Sequence, residues 1–246
     1  MVDDNLQEFT HPELYDAENG WDADDDFYLH LAQHVGGPVL DVACGTGRLA
    51  RAIAQSGLRV TGVDVMPPML ERARRLSTDL PISWVLADCR TLTLPERFKL
   101  AIMSGHAFQN LLSDADQHQF LERMSELLEV GGVLGFETRN LEAKDYGASR
   151  EPTLWRSFQD SQGRWIDVAT ASRFDAEHMI DHVEMTRTVR ATGESWPSKI
   201  ALRYTPVDEL NRRLEQQGFT IVEQYGAWSK EPVSASAPEI ITICRR

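Results

Sequence analysis

The stretch VLDVACGTGRLA, Val39 to Ala50, carries an apolar strand straight into a glycine turn and out into a helix. Gly45, Gly47 and Ala50 fit the pattern G-x-G-x-x-G/A, in which absent side chains let the backbone turn tightly and a ligand approach a helix N-terminus. A chain with that turn behind a strand is set to build βαβ units with right-handed crossovers. One residue departs from the dinucleotide-binding form of the pattern. Asp41 puts a carboxylate inside the strand, where it would repel a pyrophosphate. A ligand with a cationic end and no phosphate removes the conflict.

The elements around the turn repeat its theme. Residues 24–35, DDDFYLHLAQHV, predict a helix capped by Asp24, with Phe27, Leu31 and Val35 on one face. Strands are predicted at 39–43, 58–64, 82–87, 98–103 and 133–137. Between them, Leu49, Ala52 and Ile53 mark a helix that ends at Gly57. Pro67-Pro68 opens a second, with Met69, Leu70, Ala73 and Leu76 inward. Ser113 with Asp116 caps a third, bearing Phe120, Leu121, Met124, Leu127 and Leu128 and stopped by Gly131-Gly132. This alternation predicts an α/β fold: a Rossmann-like, doubly wound, mostly parallel sheet.

From residue 139 to 204 the period changes from helical to two. Val183, Met185 and Val189 alternate with polar neighbours, as do Ile200, Leu202 and Tyr204. That predicts a small antiparallel β insertion, with residues 1–138 and 205–246 forming the main domain. Thr205-Pro206 is expected to cap one more helix, with Leu210 and Leu214 inward. Strands at 219–224 and 239–244 are joined only by a loop, so they should pair antiparallel.

Charge and cysteine usage narrow the function. A net charge of −13 argues against a phosphate-tracking nucleic-acid protein. Arg72, Arg74 and Arg75 read as the wet side of a helix. Cys44, Cys89 and Cys244 are odd in number and lack CxxC spacing, which points to a reducing compartment. MVDDNLQEFT has no apolar signal core and no run has the length of a membrane span, so a cytoplasmic protein is expected. His178 and His182 lie in a strand-like segment, where four residues span about 13 Å, so no metal site is predicted.

Two more acids complete the ligand argument. Asp64 ends the second strand, nineteen positions after Gly45, where a carboxylate can accept two ribose hydroxyls. Asp88 ends the third, where it can accept from an adenine amino group with the Cys89 N–H nearby. An adenosine with a cationic tail suits all three acids, and S-adenosylmethionine is such a compound.

With these residues in view, the chain resembles the class I S-adenosylmethionine-dependent methyltransferases. The resemblance rests on VLDVACGTG, on VTGVD followed by PPMLERAR, on ADCR, on EVGGVLGFE, and on the terminal GFTIVEQYG and EIITIC. It implies a seven-stranded sheet ending in an antiparallel C-terminal strand. It also implies that Asp41 and the Gly45–Gly47 turn flank the methionine part of the cofactor, that Asp64 holds ribose with Val65 beside it, that Met66 packs on adenine, and that Asp88 with Cys89 holds adenine. The family usually has glycine where Ala43 stands; alanine is expected to be tolerated there if the backbone keeps a negative φ.

The acceptor is expected near the fourth and fifth strand ends. Ser104 and Gly105 would line the methionyl end of the cofactor, and His106 is the candidate base. Glu137 and Arg139 are candidates for binding a polar acceptor. Tyr15, before the first helix, is a candidate lid over the cofactor, and the inserted sheet, with Trp155, Trp165, Trp196, Arg173 and Arg203, a candidate cover for the acceptor. The expected activity is methyl transfer to a small-molecule O, N or C acceptor, by a monomer or homodimer. An RNA or protein methyltransferase and a non-catalytic binder of the same cofactor are the alternatives, and a nicotinamide oxidoreductase is disfavoured by Asp41.

Overall fold

The computed structural model describes residues 4–144 and 151–246. In chain order the elements are α1 (Pro12–Glu18), α2 (Ala23–Val35), β1 (Val39–Val42), α3 (Arg48–Gln55), β2 (Val60–Asp64), α4 (Pro67–Leu76), β3 (Ile82–Leu86), β4 (Phe98–Met103), α5 (Asp114–Leu127) and β5 (Leu128–Arg139). They continue with β6 (Thr153–Gln159), β7 (Trp165–Asp175), β8 (Ile180–Val189), β9 (Ser195–Arg203), α6 (Val207–Gln216), β10 (Thr220–Tyr225) and β11 (Glu239–Arg245). The chain divides into two compact units, Met1–Gly20 with Asp145–Arg203, and Trp21–Lys144 with Tyr204–Arg246.

The larger unit is a seven-stranded sheet in the order β10-β11-β5-β4-β1-β2-β3. The strands β3, β2, β1, β4 and β5 run parallel, while β11 is antiparallel to both β5 and β10. The expected doubly wound sheet and terminal hairpin are therefore present. Side chains alternate between its faces with period two. Leu100 and Ile102 of β4 join Tyr28, Ala32, Leu49 and Ile53 on one face. Ala101 and Met103 join Phe108, Phe120, Met124 and Phe136 on the other. Each of these large buried side chains contributes roughly 1.5–3 kcal/mol.

Four local readings change. The cap of α2 is Asp22, which shares a capping box with Asp25; Asp24 lies inside the first turn. Helix α5 ends at Leu127, before the glycines, because Leu128 already pairs with Phe98. The chain then bulges, leaving Val130 almost fully exposed, before Val133 pairs with Leu100. Thr205 does not cap α6; its hydroxyl bonds the buried Gln117 side chain at 2.9 Å, and Pro206 stands at the N-cap. Leu76, read as inward, is exposed at the end of α4.

The smaller unit is a four-stranded antiparallel sheet, β6-β7-β8-β9. Residues 1–20, expected with the larger domain, group with it for two reasons. The Asn5 side-chain amide pairs with the backbone of edge strand β9, donating to the Ala201 carbonyl at 3.1 Å and accepting from its N–H at 2.5 Å. Glu8 and Glu18 converge on the buried Arg187 guanidinium of β8, which also donates to Ser198. Arg156 of β6 adds a second pair to Glu18 at 2.7 Å. Buried charges of this kind hold only when every partner is in place. Trp155 and Trp165 are exposed, each beneath an arginine, Arg156 and Arg190. His178 lies in the β7–β8 turn, bonded to Asp175, and His182 on β8. Among the described residues no helix is long and apolar enough to cross a membrane.

Candidate functional site

The four parallel strands β1, β2, β3 and β4 end along one edge of the larger unit, and the loops that leave them carry the expected site residues. Behind β1, Gly45 (φ +56°) and Gly47 (φ +76°) make the turn, and Gly47 forms the N-cap of α3. The Cys44 N–H donates to the Val63 carbonyl at 3.0 Å, and Arg51 donates to the Thr46 carbonyl at 2.6 Å, so the turn is held from both sides.

Ala43 is also left-handed, at φ +55°. The expectation of negative φ fails, because the chain must bend there to bring Cys44 back onto β2. A left-handed alanine costs about 1–2 kcal/mol. Glycine would remove that strain but loosen the unfolded chain. Ala43→Gly is therefore expected to stabilise the protein by roughly 0.5–1 kcal/mol in urea titration; an unchanged midpoint would count against strain at this position.

Asp64 ends β2 with its carboxylate turned back into the protein. One oxygen accepts from the Gly45 N–H at 2.7 Å, the other from the Met66 N–H at 2.8 Å. It thereby ties the glycine turn to the start of α4. Burial raises its pKa, against the pull of those amides. Val65 is exposed beside it and Met66 is buried.

Asp41 is more unusual. It is 1% exposed, and neither carboxylate oxygen has a hydrogen-bond partner among the described residues. Burial, and then the Asp64 charge, push its pKa up to about 7. The Ala50 backbone amide and, more weakly, Arg48 pull the other way. Arg48 is engaged by Asp25, at 3.1 and 3.0 Å.

In register with Asp41 lie Gly62 and then Trp84. The Trp84 indole lies across both Gly62 and Gly47: a methyl built on either glycine would sit 2.3 or 2.2 Å from the ring. Its Nε1–H donates to the Ser77 hydroxyl at 3.0 Å. The floor of the glycine turn is thus an aromatic plate.

At the tip of β3, Asp88 is not a free acceptor. Arg90 donates to it from Nε and from a terminal nitrogen at 2.6–3.1 Å, and bridges on to Asp116 at 2.5 Å. Those bonds, led by the Arg90 side chain, hold Asp88 below the usual carboxylate range. Asp116 also closes the capping box of α5, so the Asp88 turn is fastened to that helix. Burial pushes the Cys89 thiol up to about 12, making it an inert neighbour.

At the tip of β4, Ser104 is half-buried, and Gly105 (φ +70°) and His106 (φ +56°) are both left-handed. His106 is clamped at two points. Its N–H donates to Glu137 at 2.7 Å and its Nε2 lies 2.8 Å from Glu239 on β11. Glu137 is fully buried and also accepts from the Tyr28 hydroxyl at 2.5 Å. It cannot meet a polar acceptor at an open surface, as the sequence suggested; it anchors the β4 tip. Burial raises its pKa, and burial with the Glu137 charge holds Tyr28 well above the phenol range. Arg139 donates to the Gln109 side chain at 2.9 Å. Tyr15 lies on α1 in the smaller unit, edge-on to Phe9 at 6.0 Å.

So Asp41, Ala43, Gly45, Gly47, Asp64, Val65 and Met66 come together at β1 and β2. Asp88 with Cys89, and Ser104 with His106, follow at the next strand ends. Sequence reasoning missed Trp84, Arg90, Asp25, Tyr28 and Glu239. Only Arg90 left a signal, the D-x-R spacing that suits a carboxylate–guanidinium pair across a turn.

Residues 39–132 match the family model of a methyltransferase domain. An uncharacterised methyltransferase of Mycobacterium tuberculosis is 37% identical over 100 residues, 41% of this chain. That match spans about half, 49%, of the relative's length. Among solved structures, the CcbJ methyltransferase from Streptomyces caelestis superposes with a TM-score of 0.85 at 21% identity, over 99% of both chains. S-adenosylmethionine-bound CalS10, an amino pentose methyltransferase from Micromonospora echinaspora, superposes with 0.74 at 19% identity, over 95% of this chain and 94% of its own. At these identities the two structures establish a shared fold.

Proposed function

We propose that this chain, whose residues 39–132 match a methyltransferase domain, is a class I S-adenosylmethionine-dependent methyltransferase that transfers a methyl group to an O, N or C atom of a small molecule. The main support is the Asp41 carboxylate, buried beside Asp64 with no partner among the described residues. A site built for a polyanion would not hold an acid such as Asp41 under its glycine turn; a site for a cation would. The cofactor fits that demand.

S-adenosylmethionine supplies an electrophilic methyl on a sulfonium, whose sulfur leaves as a neutral thioether. The protein's part is to bind and align. Asp64 accepts the ribose hydroxyls with the lone pairs its two amide bonds leave over. Ala43, Gly45 and Gly47 flank the methionine part above Asp41. Val65 and Met66 pack beside adenine, with Asp88 and the Cys89 N–H at its edge. Ser104 borders the methionyl end. His106, held by Glu137 and Glu239, is the group at the β4 tip suited to take a proton from an acceptor that carries one. Alignment alone supplies roughly 7–11 kcal/mol of barrier reduction in such displacements. The amino sugar acceptor of CalS10 makes amines the first acceptors to try.

Calorimetry with S-adenosylmethionine and with NAD tests the cofactor. Binding of the first and not the second is expected, with Asp64→Ala about 10- to 100-fold weaker, since a charged hydrogen bond contributes roughly 1.5–3 kcal/mol. Binding of NAD alone would sink the proposal. A labelled-methyl assay over small amines, alcohols and enols, with RNA and protein as comparison, tests the transfer. A cofactor that binds and is never consumed would favour the non-catalytic reading.

A further inference from the structure

We infer that the cationic end of the ligand enters beside Asp41 in exchange for a proton, so that cofactor binding releases close to one proton per site in mildly acidic solution. This rests on the cofactor reading above and specifies how the same site handles charge.

The surroundings of the Asp41 carboxyl group leave its charge largely unmet. The group is buried on β1, and both oxygens lack a hydrogen-bond partner among the described residues. A buried carboxylate without donors is too costly to keep; such a group takes up a proton instead. The Ala50 backbone amide on α3 relieves part of that pressure, but burial and the neighbouring acids outweigh it. Asp64 faces it from β2 as a second acid, and Asp25 from α2 as a third. Arg48 on α3 is the cation in reach, and Asp25 engages it through two contacts. The Cys44 thiol in the turn stays protonated, its pKa raised well above normal by burial and then by Asp41 and Asp64. Burial, with the neighbouring acids, accordingly pushes the Asp41 pKa up to about 7. A sulfonium and an α-ammonium placed above it supply the missing counter-charge. The carboxyl then ionises and its proton leaves to solvent. Charge balances: one cationic ligand enters and one proton departs.

The sign follows from linkage. Ionisation is favoured in the complex, so its proton is lost on binding wherever the free protein still holds it, below about pH 7. At pH 6 a group of that pKa is about 90% protonated, giving a release of about 0.9 proton. Apparent affinity falls about tenfold for each pH unit below 7. The ligand's α-amino group, ordinarily near 7.7–8.0, stays protonated at pH 6 and does not confuse the count.

Calorimetric titration at pH 6 in buffers of differing ionisation enthalpy reads the number directly. S-adenosylmethionine should release about 0.9 proton. Methylthioadenosine, which keeps the adenosine and lacks both cationic groups, should bind with little release. Asp41→Asn should bind S-adenosylmethionine with the release abolished. Two outcomes overturn the inference: equal release with both ligands of the native protein, or S-adenosylmethionine binding with none. Undiminished release from a folded Asp41→Asn protein would assign the proton to Asp64 and overturn it as well. Should that variant fail to fold, the comparison of the two ligands on the native protein still decides. No binding of S-adenosylmethionine at any pH would instead remove the cofactor reading itself.

Discussion

Asp41→Asn is expected to exceed the parent in stability by about 4 kcal/mol at pH 8 and by only about 1–2 kcal/mol at pH 5, when both are measured without cofactor. The Asp41 pKa is raised from 3.8 to about 7, chiefly by burial. A group shifted upward adds stability that is complete below its unfolded pKa and is lost as pH rises through the folded value. Across the whole window the loss is about 4 kcal/mol, from roughly 3 pH units at 1.36 kcal/mol each. About 3 kcal/mol of it falls between pH 5 and pH 8. The amide cannot ionise and escapes that loss. In a chain of this size the gain corresponds to several degrees of melting temperature. Asp25, Asp64 and Glu137 are shifted the same way, while Asp88 and Asp116 are shifted oppositely. The slopes of groups that do not touch Asp41 are common to both proteins, so the difference between the two melting curves reports Asp41 together with its coupling to Asp64 and Asp25. Parallel curves would show that Asp41 is neutralised by something else. The variant should also bind S-adenosylmethionine less well above pH 7, which makes Asp41 a place where stability is given up for ligand charge.

The periodicities of the chain carried most of this architecture. The glycine turn, Pro67-Pro68 and the Ser113/Asp116 box each mark a helix start that the fold keeps, because caps and turns depend on neighbours a few residues away. The terminal hairpin was legible for the same reason. What the chain hides is contact across strands. Asp88 was visible as an acid at a strand end, yet its occupation by Arg90 depends on side-chain direction. Glu137 was visible as polar, but its burial is set by Tyr28 arriving from α2, 109 residues earlier. Residues 1–20 read as a prelude to the first domain, because nothing local says that Glu8 and Glu18 answer an arginine beyond residue 180. Ala43 shows the limit in the other direction: the family pattern has glycine there, yet the alanine was expected at negative φ, and its φ of +55° is set by the bend that returns the chain to β2.

Gly62→Ala is expected to destabilise the larger unit by about 3 kcal/mol or more, against the sign that backbone entropy predicts. Where alanine fits, replacing glycine stabilises by about 0.4–1 kcal/mol. At Gly62 it does not fit. The added methyl would lie 2.3 and 2.6 Å from two Trp84 ring atoms and 3.1 Å from the Cys44 sulfur. The ring has little room to retreat, since its Nε1 is bonded to Ser77 and its far edge already covers Gly47. Either the indole leaves its seat, exposing apolar surface and breaking that bond, or β2 moves away from β1 and β3. Shrinking the plate should relieve the clash. In a double-mutant cycle followed by urea denaturation, Trp84→Leu alone costs the contacts of the indole. The pair Gly62→Ala with Trp84→Leu is therefore expected to lose about 1–3 kcal/mol less than the sum of the two single changes. The function should follow the packing. Because the same ring carries the Gly47 turn, Gly62→Ala should weaken S-adenosylmethionine binding even where the protein remains folded, and the double variant should recover part of it. A Gly62→Ala protein that unfolds at the parent's urea concentration would mean that the indole is free to swing aside, and the aromatic floor of the site would then be no fixed part of it.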